Sequence, residues 1–258
     1  MNTDLLSYKD AATAAVISLR EELIAYYGTV ENTIKSDKSV VTKLDVWAEQ
    51  KIKELLKEHD SNVGFLGEEF GAEGNQEKFW LIDPIDGTEQ FIRGIPFCGS
   101  MLCLVEGKKL LVSVIYNFVT NELYWATAGG GAWLWDKRLQ ISSRELDRSF
   151  VELSTDISTP KGDKLFKELA KAVKTVTRYN CSCFISYLVA SGSTEARVVT
   201  NGKGGPWDYA PGALLTVEAG GVVTHFDGSE YDYMNTENII MGTKAVQEFV
   251  LGLKLDED

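Results

Sequence analysis

The stretch Trp80-Leu81-Ile82-Asp83-Pro84-Ile85-Asp86-Gly87-Thr88 decides how the rest of the chain is read. An apolar run ends in two carboxylates three positions apart. The run predicts a buried strand that stops at Asp83. Pro84 locks φ at the bend, and Gly87 opens backbone angles closed to other residues. Both carboxylates can then turn toward one point, with the backbone N–H groups of Gly87 and Thr88 beside it. Carboxylates hold hard cations, and free amides at a turn or helix start hold phosphate oxygens. The pattern suits metal-assisted phosphoryl chemistry.

Upstream, apolar residues recur at helical spacing over 4–27, from Leu5 and Leu6 to Ile24 and Tyr27, and stop before Gly28. Residues 28–41 are polar and read as a mobile loop. Thr42 opens a second helix, through about His59, in which Thr42-Lys43-Leu44-Asp45 has the form of a capping box with a short acid. A short strand over 63–66 leads into Gly67-Glu68-Glu69, and 71–78 reads as a Gly/Glu-rich loop. Downstream, strand signals crowd at 79–83, 97–105, 110–117, 122–126 and 131–135, with turns at Gly107 and Asn121, which predicts an antiparallel meander. Gly129-Gly130-Gly131 lacks P-loop spacing and reads as a hairpin connection. After residue 145 strands and helices alternate: strands at 150–154, 174–178, 195–199, 221–225 and 238–241, helices at 161–172, 182–191, 208–219 and 243–253. The expectation is one domain over 1–258, with an N-terminal α+β half (1–145) and a C-terminal α/β half (146–258).

Composition narrows the function classes. The 258 residues are 44% apolar, enough for a sizeable core, and carry 38 acidic against 26 basic residues, a net charge of −12. There is no basic block, which disfavours nucleic acid as a partner. No apolar run reaches membrane-spanning length and the N-terminus lacks a signal-peptide pattern, so a soluble, cytoplasmic protein is expected. Cys98, Cys103, Cys181 and Cys183 do not make a disulfide framework in a chain this long. Cys181-Ser182-Cys183 has the look of a metal pair but lacks a second Cys or His pair nearby, and core thiols are the preferred reading. With only His59 and His225, histidine catalysis and zinc sites are poorly supplied.

Five acids stand at element ends: Asp45, Glu68, Asp83, Asp86, and Asp208 in Trp207-Asp208-Tyr209-Ala210. Each has an ordinary alternative. Asp45 can complete a cap, Asp208 can favour a helix start, Glu68 and Glu69 can be a solvated pair, and Asp83 and Asp86 can be turn formers. The pair of aspartates with Pro and Gly-Thr around them is the hardest to explain that way.

These residues resemble the inositol monophosphatase family of Mg²⁺-dependent, Li⁺-sensitive phosphatases. Trp80 to Phe91 is similar to its first signature and Gly205 to Gly212, continuing to Glu218-Ala219-Gly220-Gly221, to its second. Val41 to Asp45 and Gly67-Glu68-Glu69 are similar to two further motifs in the same order. The resemblance implies a layered αβαβα sandwich, α+β or α/β in class, and a homodimer. It implies two or three Mg²⁺ ions, with Glu68, Asp83 and the Ile85 carbonyl on the first and Asp83, Asp86 and Asp208 on the second. Glu68 would also reach a third ion. Asp45 and Thr88 would orient and deprotonate the attacking water, and the Gly87 and Thr88 amides would hold the phosphate. Lys35 or Lys38 would lie in a loop over the site, with Ser182 and Asn201 near the leaving group. The substrate implied is a small phosphate ester: inositol phosphate, or a polyol or amino-alcohol phosphate such as histidinol phosphate. Asn201 stands where inositol-specific members carry Glu, and Asn180-Cys181-Ser182-Cys183 replaces a cluster of small residues. Phe91-Ile92-Arg93-Gly94 and the Cys-x-Cys are closer to the histidinol-phosphate branch, without the acids usual there. Gly94-Ile95-Pro96-Phe97 occurs in members with broad sugar-phosphate activity, which keeps fructose-1,6-bisphosphatase and bisphosphate nucleotidase activities as alternatives. A non-catalytic scaffold is a third reading.

Overall fold

The apolar run does not stop at Asp83. In the computed structural model, which describes residues 3–29, 33–34, 40–41 and 43–255, it forms one strand over Lys78–Asp86. Its antiparallel partner keeps register up to Asp83 opposite Met101, then pairs Asp86 with Gly99. Three steps against two make a β-bulge, which bends a strand and re-aims its side chains. Pro84 has no N–H to give a ladder and sits within the bulge. Its carbonyl accepts from Ser100 Oγ at 2.7 Å. Pairing on both sides of the bulge is what corrects the expected strand end.

Three sheets are described. A small pair joins β1 (Thr33–Ile34) to β2 (Val40–Val41). An eight-stranded sheet contains β3 (Gly64–Gly67), β4 (Gly71–Glu73), β5 (Lys78–Asp86), β6 (Gly99–Glu106), β7 (Lys109–Asn117), β8 (Glu122–Thr127), β9 (Gly131–Leu134) and β10 (Lys137–Arg138). Its order is β10-β9-β8-β7-β6-β5-β3-β4, so β5 to β9 form the expected meander, β10 extends it by a two-residue strand, and within this sheet only β3 and β5 are parallel. The loop expected over 71–78 contains a correction: Gly71–Glu73 folds back on β3, pairing Gly67 with Gly71. A five-stranded sheet follows, with β11 (Phe150–Ser154), β12 (Thr175–Thr177), β13 (Ala196–Val199), β14 (Val222–His225) and β15 (Ile239–Gly242) in the order β12-β11-β13-β15-β14. Here β11 is parallel to both neighbours, while β13, β15 and β14 are antiparallel.

The helices are α1 (Thr3–Ser18), α2 (Arg20–Tyr26), α3 (Lys43–His59), α4 (Thr88–Ile92), α5 (Pro160–Ala172), α6 (Ser182–Ala190), α7 (Ala210–Glu218) and α8 (Lys244–Gly252). They complete an αβαβα sandwich. Helices α1 and α3 cover one face of the large sheet, α6 and α7 fill the space between sheets, and α5 and α8 cover the far face of the small one. The single helix expected over 4–27 is two. Ser18 Oγ donates to the Ala15 carbonyl at 2.7 Å, and the Leu19 amide reaches only Val16, three residues back. Such local bonds compete with the helical ladder. The helix expected from 208 likewise begins as a 3₁₀ turn over Pro206–Asp208, with α7 starting at Ala210. No helix among the described residues is long and apolar enough to cross a membrane.

Candidate active site

Asp83 is buried on the bulged segment of β5, and its Oδ1 has no hydrogen-bond partner among the described residues. A buried, unpartnered carboxylate oxygen is costly unless something else satisfies it. Asp86, on the same segment, and Asp208, at the end of the Pro206–Asp208 turn, each bring a carboxylate oxygen close to the Asp83 carboxylate. The three oxygens lie within 4.8 Å of one another. The Asp208 carboxylate is oriented by its own turn: Oδ2 accepts from the Gly205 amide at 2.8 Å, and Oδ1 from Ser182 Oγ at 3.2 Å. Asp86 Oδ2 accepts from the Cys183 amide at 2.6 Å and from Cys181 Sγ at 2.9 Å.

Packing three acids together at a largely buried site has an electrostatic cost. Burial pushes Asp83 well above the usual carboxylate range, and the charges of Glu68, Asp86, Asp208 and Asp45 push it further, in that order. Asp208 is pushed up to about 7 by burial and then by Asp86, against the pull of Arg197, Ser182 and the Gly205 amide. Glu68 exerts the largest charge effect on Asp83, so it belongs to the cluster electrostatically, although it is not among the three oxygens that lie closest. A hard-oxygen set with an orphaned buried acceptor, in which burial and neighbouring charge raise Asp83 and Asp208, fits a divalent cation such as Mg²⁺, whose binding would relieve both penalties.

Asp45 projects from the buried face of α3 toward the start of α4. Thr88 Oγ1 lies 3.1 Å from Asp45 Oδ1 and 3.1 Å from the Ile85 carbonyl oxygen. Gly87 precedes Thr88 with φ of 78°, and a Cβ there would stand 2.7 Å from the Phe97 carbonyl. Only glycine turns the chain from β5 into α4 at this point. The Gly87 and Thr88 amides open that helix.

A cleft of about 420 Å³ adjoins Asp86 and Asp208. Ser182 and Asn201 line it, joined by Asn180, Arg178 and Lys203. That volume falls in the range of sites for small molecules, which favours a small ester over a polymer. Lys35 and Lys38, and the Thr42 cap, lie outside the described residues.

Two supports of the site were not anticipated. Glu49, one turn after Asp45 on α3, is fully buried, and its carboxylate accepts from the Glu69 amide at 2.7 Å and the Phe70 amide at 3.3 Å. It thereby holds the turn that carries Glu68. The signal was a carboxylate on the apolar face of α3, in line with Ala48 and Ile52. The second support is Arg197, buried on β13 directly opposite Glu152 of β11. Arg197 Nη2 donates to Ser182 Oγ at 3.1 Å, its guanidinium lies 4.7 Å from the Tyr209 ring centroid, and its Nε is 3.6 Å from Glu152 Oε2. Opposite charges at single positions inside two apolar strands were its trace in the sequence.

Layered sheets with a carboxylate cluster at their junction define a class of metal-assisted phosphatase. The family model of the inositol monophosphatase family matches residues 4–254. The chain is 34% identical over 220 residues to an inositol-1-monophosphatase of Caulobacter vibrioides, covering 82% of this chain and 85% of that one. It is 29% identical over 257 residues to a fructose-1,6-bisphosphatase/inositol-1-monophosphatase of Aquifex aeolicus, covering 96% and 95%. The crystal structure of extragenic suppressor protein suhB from Bartonella henselae superposes with a TM-score of 0.86 at 28% identity, over 96% of this chain and 98% of that one. The chain belongs to the inositol monophosphatase family and is a phosphatase of that family.

Proposed function

We propose that the chain is a Mg²⁺-dependent phosphomonoesterase acting on a small alcohol phosphate, of the inositol phosphate, polyol phosphate or amino-alcohol phosphate type. The observation that carries this is the buried Asp83 carboxylate, which has one oxygen unpartnered and one oxygen within 4.8 Å of oxygens of Asp86 and Asp208. Glu68, Asp83, Asp86, Asp208 and the Ile85 carbonyl would hold two or three ions. Bound Mg²⁺ supplies charge neutralisation on the phosphate, acidification of water and stabilisation of the leaving oxygen.

The remaining roles fall to side chains and amides. Thr88 Oγ1 carries one proton, and donating it to Asp45 leaves its lone pairs free to accept one from water. Water loses its proton to Thr88 as Thr88 passes its own to Asp45, the water oxygen attacks phosphorus while the P–O bond to the alcohol oxygen breaks, and that oxygen takes a proton from solvent water. The Gly87 and Thr88 amides hold phosphate oxygens, and Ser182 and Asn201 face the alcohol. Assembly into a homodimer is proposed on the family resemblance, and a cytoplasmic location on the sequence pattern alone.

Arg178 and Lys203 in the cleft, with an amide rather than an acid at Asn201, favour a second reading. An alcohol that carries its own phosphate would be accepted there, as in fructose 1,6-bisphosphate or a nucleoside bisphosphate. A phosphate-release screen over inositol 1-phosphate, histidinol phosphate, fructose 1,6-bisphosphate and 3′-phosphoadenosine 5′-phosphate separates the two. In each case Asp45→Asn should lower kcat by about 10²–10⁴-fold. Asp45→Asn working at the wild-type rate on every ester would refute the catalytic assignment.

A further inference from the structure

Cys181 and Cys183 form, with Asp86, a cluster whose two thiols hydrolysis does not use. Cys181 is extended, with φ of −150° and ψ of 119°, and caps the start of α6; Cys183 is the second residue of that helix. The change of backbone conformation between them turns both sulfurs the same way, 3.6 Å apart. Cys181 Sγ is 2.9 Å from Asp86 Oδ2, and one ligand atom of each residue lies within 4.8 Å of the others. All three are buried, yet Asp86 also lines the cleft, which leaves an entry path from solvent.

We propose that Cys181, Cys183 and Asp86 form a binding site for a thiophilic divalent cation, Zn²⁺ or Cd²⁺, that competes with Mg²⁺ for Asp86. Tetrahedral zinc with Zn–S of about 2.3 Å places two sulfurs about 3.8 Å apart, close to the spacing already present. With Zn–O of about 2.0 Å the same geometry asks for about 3.5 Å between sulfur and carboxylate oxygen. The Cys181–Asp86 contact therefore opens by about half an ångström once the shared proton has gone. Two thiols and a carboxylate leave a fourth position for water from the cleft. Both thiol protons leave to solvent as the two metal–sulfur bonds form, since a coordinating thiol is deprotonated outright. Thiolate ligands select zinc and cadmium and are ignored by Mg²⁺, which keeps to oxygen. The two sites differ in softness but share one carboxylate, so a cation on either weakens the other through its own charge and through its claim on Asp86.

The competition rests on the Mg²⁺ reading above; the soft-metal site does not. Cadmium titration of the purified chain, followed by the ultraviolet charge-transfer absorption of cadmium thiolates, tests it directly. One equivalent should produce the band. Cys181→Ser and Cys183→Ala, each checked for folding by circular dichroism, should each abolish it, whereas Cys103→Ser should retain it. Saturating Mg²⁺ should weaken the apparent Cd²⁺ affinity by about tenfold or more, and Cd²⁺ should inhibit phosphate release in the wild type but not in a folded cysteine variant that retains activity. No band, or a band surviving both substitutions, overturns the site. A cysteine-dependent band indifferent to Mg²⁺ overturns the sharing of Asp86. Failure of the phosphatase reading would show separately, as no phosphate release in Mg²⁺ without cadmium, and would leave the band intact.

Discussion

Replacing Gly67 by alanine should do damage out of proportion to one methyl group. A Cβ at this position would stand 2.0 Å from Glu49 Oε1, 2.3 Å from its Cδ and 2.6 Å from Oε2. Glu49 is fully buried, so its carboxylate has nowhere in solvent to go. It must leave the Glu69 and Phe70 amides, of which the 2.7 Å bond is the strong one. Hydrogen bonds to charged groups contribute about 1.5–3 kcal/mol each, and the longer bond counts for less. A loss of about 2–4 kcal/mol follows, or roughly 5–15 °C in Tm for a chain of this size. The turn released is the one bearing Glu68, so the Mg²⁺ concentration for half-maximal activity should rise about 10–100-fold, as when a group supporting a metal ligand is removed. Glu49→Gln keeps one acceptor and should show a smaller version of both effects. Because both substitutions act on the same two amide bonds, the double variant should lose less than the sum of the singles. Thermal melts in excess Mg²⁺ and Mg²⁺ titrations of phosphate release measure both quantities. A Gly67→Ala protein with wild-type Tm and wild-type Mg²⁺ dependence would refute the reasoning.

Three further predictions concern charge. Excess Mg²⁺ should raise Tm over chelator, by about 2.7 kcal/mol of stability at a hundred times its Kd; coincident melting curves would contradict the acidic cluster as a metal site. In chelator, Asp208, held up to about 7 by burial and Asp86, keeps a proton in the folded chain that the unfolded chain has lost. Its stabilisation is complete below the ordinary carboxylate range and is lost as pH rises toward about 7, so metal-free Tm should fall through that window and Asp208→Asn should flatten the slope. A metal-free Tm that climbs with pH there and is indifferent to Asp208→Asn counts against this. Arg197→Met should cost about 3–5 kcal/mol, because Glu152 is left buried without its partner, and Arg197→Met with Glu152→Leu should recover part of that; denaturant melts decide, and a double variant worse than the single contradicts the pairing.

The parts of the site that were legible in the sequence are those where local rules and function agree. An apolar run ending in Asp83-Pro84-Ile85-Asp86-Gly87-Thr88 announces a strand, a bend and two acids without reference to anything distant. The meander from Lys78 to Leu134 was legible for the same reason, since each strand pairs with its neighbour in sequence. What was hidden depends on long-range partners. The bulge that carries β5 on to Asp86 needs the Ser100 hydroxyl and the ladder to β6, neither of which is visible in residues 80–88. The three residues of β4 are too few to show alternation, and only their pairing with β3 makes them a strand. Glu49 shares the apolar face of α3 with Ala48 and Ile52, but only the fold brings the Glu69 and Phe70 amides to it and gives it a role. Arg197 and Glu152 are 45 positions apart and become a pair only through parallel strand register.

The central claim is that Asp83 serves divalent cations and that hydrolysis depends on them. Phosphate release from the small esters named above, measured against Mg²⁺ for the wild type and Asp83→Asn, tests it most directly. The account predicts release by the wild type that rises with Mg²⁺ and vanishes in chelator, and no recovery of Asp83→Asn at any Mg²⁺ concentration. Wild-type turnover that persists in chelator, or Asp83→Asn matching the wild type across the titration, would contradict it.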